Sequence, residues 1–269
     1  MSVQSGDGTP AFFAVVPPGE NPVGYVKLAR EMGNYPFYKL QVPGKVLDGR
    51  PYRASETQAL AHEYVEAMRA TQPKGPYYFG GMCDGAHIAL RMAQILELQQ
   101  EQVGMLAIFD TWVLENTQRP NLWRMHYYWQ RLKRIIKLPV REQIKTVSTA
   151  ARNLLHSLPK GDVSWQRAYW PGNDFIPPIF GGRITLFKRP RQPYYYVDDP
   201  TMGWGTRAGT IDIQVLSITH AEMLHDPHVR ILAQSLSERL KYYCAEASAA
   251  QDSRGEDYIT TVADRTEVG

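Results

Sequence analysis

Gly81-Met82-Cys83-Asp84-Gly85 is the stretch on which the reading of this chain turns. It follows a short apolar run at 77–79 and precedes a segment in which Ala86, Ala89, Leu90, Ala93 and Leu96 share one helical face. The order is therefore strand, sharp turn, helix. A turn that tight forces the central side chain outward above the sheet, and small flanking residues keep the strained backbone free of clashes. The helix N-terminus favours negative charge at the same point. A cysteine displayed there is a candidate nucleophile, since a thiol needs less activation than a hydroxyl.

Working outward, further apolar or period-two runs lie at 11–16, 37–42, 105–109, 183–187 and 211–216. Most alternate with helix-like segments. Ser55 followed by Gln58 forms a capping box ahead of Leu60, Tyr64, Val65 and Met68, and Val229, Leu232, Ala233, Leu236 and Leu240 repeat the helical spacing after Pro227. Strands alternating with helices predict a mainly parallel sheet flanked by helices. Between 112 and 173 the alternation gives way to aromatic and basic helical spacing, through Leu122, Met125, Trp129, Leu132 and Ile136, broken at Pro139. This predicts an inserted helical lid. From Cys244 onward no apolar periodicity survives, so the expected organisation is one domain over 1–244 and a disordered tail over 245–269.

Composition narrows the function. The chain has 269 residues, 43% of them hydrophobic, enough for one large core. No apolar run approaches the ~18 residues a membrane span needs, and residues 1–10 lack the order of a signal peptide, which predicts a cytoplasmic protein. A net charge of +3 gives no case for nucleic acid. Its distribution is uneven: residues 112–160 hold ten Lys or Arg against two Glu, a net of +8 that leaves −5 elsewhere. The two cysteines, Cys83 and Cys244, form no metal-type spacing, so no metal site is expected.

The strand–elbow–helix order resembles the α/β-hydrolase fold, which implies where the partners of Cys83 stand. A histidine belongs in the loop between the last strand and the final helix. His220 occupies it, while His225 and His228 sit at or inside the predicted helix. The acid that orients the imidazole has two possible locations: Asp110, closing the strand after the elbow, or Asp198 and Asp199 after the next strand. Oxyanion stabilisation needs two backbone N–H groups. Asp84 supplies one; in the loop Val16-Pro17-Pro18-Gly19-Glu20 the prolines have none, so Gly19 or Glu20 supplies the other.

Beyond the fold, the chain resembles the thioesterase domains of modular polyketide and nonribosomal peptide synthases. The similarity runs from Gln4 to about Leu240. It includes Gly75-Pro76-Tyr77, Gly80-Gly81-Met82-Cys83-Asp84-Gly85, Leu106-Ala107-Ile108-Phe109-Asp110, Asp199-Pro200-Thr201-Met202-Gly203-Trp204, and His220 followed by Met223-Leu224. The resemblance implies Asp110 rather than Asp199 as the acid, a lid over 112–173, and a substrate channel touched by Met82, Trp112, Trp123 and Tyr127. It implies no bound cofactor: the substrate arrives on the phosphopantetheine of an acyl or peptidyl carrier protein, for which the basic lid is suited. The sequence departs from the family pattern in four places. Cys83 replaces serine, Ala86 a frequent glycine, Pro17-Pro18 alter the oxyanion loop, and Ile218-Thr219 replace the usual Gly-Asp before the histidine.

Overall fold

The computed structural model describes residues 2–6, 10–42, 54–113, 179–192 and 199–266, with scattered positions between 129 and 148; side chains are described through 249. Its strands are β1 (Ser2–Gln4), β2 (Phe12–Val15), β3 (Phe37–Leu40), β4 (Tyr77–Met82), β5 (Val103–Phe109), β6 (Phe180–Lys188) and β7 (Ala208–Val215). Its long helices are α1 (Val23–Glu31), α2 (Ala54–Thr71), α3 (Asp84–Leu98) and α4 (Val229–Thr266). The strands form one sheet in the order β1-β3-β2-β4-β5-β6-β7. All pairs are parallel except β1 with β3.

Period-two alternation splits the buried side chains between two cores. Phe13, Val15, Phe79, Leu106, Ile108 and Leu186 face α2 and α3, packing on Leu60, Tyr64, Ala89 and Ala93. Phe12, Ala14, Tyr78, Met105, Ala107 and Phe109 face α1 and α4, packing on Leu28, Val229, Leu232 and Leu236. A sheet buried on both faces explains the near-continuous apolar strands read from sequence. Each such Phe or Leu contributes about 1.5–3 kcal/mol through burial. The two layers make the sheet rigid where β4 and β5 end, and that edge carries the site. No described helix is long and apolar enough to cross a membrane.

Two helices depart from the sequence reading, and a third runs on beyond it. Helix α1 was not predicted: only Tyr25, Leu28 and Ala29 of its nine residues are buried, too short an apolar face to announce a helix. Helix α2 starts at Ala54, so Ser55 lies inside it rather than at its N-cap. The backbone of α4 stays helical through Thr266, across the span expected to be a disordered tail. Ala245, Ala247, Ala249 and Ala250 favour helix on intrinsic propensity, without any apolar stripe. Most of the expected lid lies outside the described residues.

Candidate active site

The elbow forms where β4 runs straight into α3. Cys83, the one residue between them, has φ 52 and ψ −126 and an exposed side chain. A non-glycine residue there carries about 1–3 kcal/mol of strain, so the surroundings must hold it. The flanking glycines are required by space. A Cβ on Gly85 would lie 2.4 Å from the Val15 carbonyl oxygen, and one on Gly81 would lie 2.8 Å from that oxygen and from the Gly85 carbonyl carbon. Hydrogen bonds complete the restraint. Cys83 N–H donates to Thr111 Oγ1 (2.7 Å), whose hydroxyl donates to the Phe109 carbonyl (2.7 Å). Met82 N–H donates to the hydroxyl of buried Tyr25 (3.1 Å).

His220 reaches this sulfur from the loop after β7. Its Nε2 is 3.4 Å from Cys83 Sγ, and its Nδ1 is 3.1 Å from Asp110 Oδ2 and 3.0 Å from the Asp110 carbonyl. Buried Ile218 and Met223 anchor the loop on either side, and Thr219 bonds Glu222 through its N–H (3.1 Å) and its hydroxyl (2.6 Å). Burial disfavours the charged ring, but the hydrogen bonds and negative charge of Asp110 and Cys83 outweigh it, and the His220 pKa is pushed up to about 10. The rival histidines stand elsewhere: His228 pairs loosely with Glu222 at 3.9 Å, and His225 lies in the turn before α4.

Asp110 holds its position firmly. Its side chain is fully buried, its backbone takes φ 39, and its N–H donates to the Phe187 carbonyl (2.7 Å). Oδ1 accepts from the Arg189 N–H (3.1 Å), and the Arg189 Nε lies 3.1 Å from Oδ2 as an ion pair without hydrogen-bond alignment. Asp199 does something different. Its carboxylate accepts from Thr201 N–H (2.8 Å), Thr201 Oγ1 (2.7 Å) and Gly203 N–H (2.7 Å), capping a turn. Burial opposes ionisation there, but those bonds and Lys188 prevail and hold its pKa below the usual range. Asp198 lies outside the described residues.

On the oxyanion side, Asp84 is the first residue of α3, where helix N–H groups lack intrahelical partners. In the facing loop the Glu20 N–H donates to Pro17 O (3.2 Å), and Gly19 takes φ 83, which only glycine adopts freely. The Glu20 N–H is thus already engaged within the loop. The loop packs against the elbow, since a Cβ on Gly85 would sit 3.3 Å from Pro17 Cδ. Burial and the charge of Asp84 push the Glu20 carboxyl up to about 7, and burial, Glu20 and Cys83 raise Tyr25 above the ordinary phenol range.

The expected channel residues fare unevenly. Met82 is half-buried beside the sulfur. Trp112 is 6% exposed, packed within the core, and its Nε1 donates to Gln192 Oε1 (3.3 Å). Trp123 and Tyr127 lie outside the described residues. Thr111, Tyr25 and Arg189 were missed. Only the position of Thr111 next to a candidate acid hinted at a role; the other two are brought in by packing across the sheet.

A mostly parallel sheet in this order, flanked by helices, with a tight strand–turn–helix elbow after a central strand and a histidine after the last, defines an α/β-hydrolase fold. The chain belongs to the thioesterase domain family, whose model matches residues 15–240, and it is accordingly a hydrolase-class enzyme. It is 40% identical over 76 residues to malpinin synthetase of Mortierella alpina, and 34% identical over 109 residues to a dimodular nonribosomal peptide synthase of Bacillus subtilis. These alignments cover 28% and 40% of the chain, but the chain spans only 1% and 4% of those two proteins. Among solved structures, the NocB thioesterase domain in covalent complex with a fluorophosphonate nocardicin G analog matches with a TM-score of 0.58 at 20% identity, covering 87% of this chain and 95% of that one. The Vlm2 thioesterase domain matches with 0.57 at 18%, covering 88% and 95%. At these identities the structures speak to the fold alone.

Proposed function

We propose that this domain releases acyl chains from the phosphopantetheine arm of a carrier protein in a polyketide or nonribosomal peptide synthase, through an acyl-Cys83 intermediate. The observation that carries this reading is the line Sγ–Nε2–Nδ1–Oδ2, at 3.4 Å and 3.1 Å, built on an exposed elbow. In the proposed cycle His220 holds the proton, as its raised pKa favours, and the Cys83 sulfur attacks the thioester carbonyl carbon. Asp84 and Gly19 N–H groups receive the oxyanion. Collapse breaks the bond to the carrier sulfur, which leaves with the proton from His220. One thioester replaces another, so this half is near energetic balance.

Release follows when a hydroxyl or amine of the chain itself, or water, attacks the acyl carbon. His220 takes that proton and Cys83 leaves, giving a macrocycle, alone or after oligomerisation, or a free acid. Asp110 orients the ring and stabilises its charge in both halves. The matched synthases support a carrier domain as partner. So does the net +8 of residues 112–160, which suits an acidic carrier and the phosphate of its arm.

The test is release of product from acyl-loaded carrier protein by wild type and Cys83→Ala, followed by chromatography and mass spectrometry. Release that depends on Cys83 and is faster than cleavage of simple esters supports the reading. Preference for simple esters, or carrier binding with no release by wild type, overturns it.

A further inference from the structure

His220 meets opposite demands in the two halves of the proposed cycle. In the first, the imidazole must hold a proton for the departing carrier sulfur. In the second it must be neutral, so that Nε2 can take the proton of the attacking hydroxyl, amine or water. The bond between the acyl carbon and Sγ then breaks, its electron pair goes to the sulfur, and His220 returns the proton there. Against the cost of burial, Asp110 and Cys83 together push the ring of the free enzyme up to about 10, which suits the first half alone. Acylation removes the charge on sulfur and leaves the Asp110 carboxylate against the ring. A buried carboxylate in contact favours the charged imidazole, so something must oppose it before His220 can act as a base.

Arg189 contacts the same carboxylate. Its backbone N–H donates to Asp110 Oδ1 (3.1 Å), and its Nε lies 3.1 Å from Oδ2, the oxygen that is also 3.1 Å from His220 Nδ1. The two side-chain nitrogens, each 3.1 Å from one oxygen, are no more than about 6 Å apart. Nε is buried and off the hydrogen-bond axis, so the guanidinium acts on Oδ2 through its charge rather than through a directed bond. The Arg189 side chain is 21% exposed and that of Asp110 fully buried, which limits screening by solvent. The Asp110 carbonyl also accepts from Nδ1 (3.0 Å), so the ring keeps its orientation when the carboxylate charge is shared.

We propose that Arg189 is a positioning residue for the release half of the reaction: its guanidinium shares the Asp110 carboxylate with His220, so that Asp110 aligns the imidazole in the acyl-enzyme without keeping the proton on it. This rests on the acyl-Cys83 reading, but its test uses no substrate and stands whether or not chains are released. The elements around the ring carry other ionisable groups: Asp84 on α3, Glu20 and Tyr25 from the facing loop and α1, Lys188 on β6, and Glu222 in the His220 loop. His87 on α3 feels the charge of Asp84, and His228 pairs loosely with Glu222. All of them are retained when residue 189 is changed, so their influence cancels in the comparison.

His220 is titrated by NMR in the full chain carrying 13C-labelled histidine, in a Cys83→Ser background whose neutral hydroxyl stands for the uncharged sulfur of the acyl-enzyme. Its signal is identified by its loss in His220→Gln. A cation at this distance and exposure lowers an imidazole by about one pH unit, a tenfold gain in the neutral form below its pKa. Arg189→Met and Arg189→Gln should therefore titrate about one unit higher than the Arg189 protein, and Arg189→Lys, which keeps the charge, less than half as far. A residue that only braced the loop would lower the melting temperature and leave the titration in place. An unmoved titration in a folded neutral variant, a lysine variant displaced as far as methionine, or failure of both neutral variants to fold would overturn the assignment.

Discussion

Thr111→Val exchanges a hydroxyl for a methyl group at nearly constant shape, and the structure says what should follow. The hydroxyl joins two backbone groups, accepting from Cys83 N–H and donating to Phe109 O, each at 2.7 Å. Without it the Cys83 N–H is orphaned beside a backbone already at φ 52. An unsatisfied buried donor costs about 1–3 kcal/mol, and partial solvent access at the elbow argues for the lower half of that range. For a domain of this size each kcal/mol lowers Tm by about 2–4 °C, so a fall of about 2–8 °C is expected. If the elbow relaxes so that about 1.4 kcal/mol of alignment between sulfur and imidazole is lost, acylation slows about tenfold. Thr111→Ser retains the hydroxyl and should restore most of both effects. The assays are thermal melting and single-turnover acylation by an acyl-pantetheine followed by intact mass. A valine variant that melts and acylates like wild type, or a serine variant as impaired as valine, would refute the reasoning.

Other variants address the remaining contacts. Asp110→Asn removes the charge that raises His220. Because that pKa is raised from 6.5 to about 10, its contribution to stability is complete below 6.5 and lost as pH climbs through 10. Wild type should lose this increment over that window in pH-dependent denaturation, and the variant should show a weaker slope. Gly85→Ala puts a Cβ 2.4 Å from the Val15 carbonyl oxygen, and urea unfolding should reveal about 1–3 kcal/mol of destabilisation. Trp112→Phe should lower Tm through the lost bond to Gln192 and leave KM unchanged, as fits a core residue. A raised KM with unchanged Tm would instead put its indole in contact with substrate.

The parts of the site readable in sequence were those tied to local patterns. The elbow announces itself because strand, turn and helix are contiguous and its glycines are sterically obligatory. His220 is legible through position alone, since the loop after the last parallel strand overhangs the edge where β4 ends. Asp110 against Asp199 could not be decided from the residues: both follow strands, and only the three-dimensional distinction between a turn cap and a partner of His220 separates them. Thr111, Tyr25 and Arg189 act through contacts with no fixed sequence spacing, and a periodicity argument has no access to those. The burial of the Trp112 indole against Gln192 is likewise set by contacts distant in sequence, which its place at the start of the aromatic segment does not reveal.

The central claim is that the Cys83 sulfur carries the acyl chain. Rapid quenching of wild-type protein with a stoichiometric acyl-pantetheine, followed by peptide mapping, tests it most directly. The account requires a mass increment on the peptide containing Cys83 that neutral hydroxylamine removes and Cys83→Ala abolishes. Product formation with no such adduct, or an adduct that persists in Cys83→Ala, would contradict it.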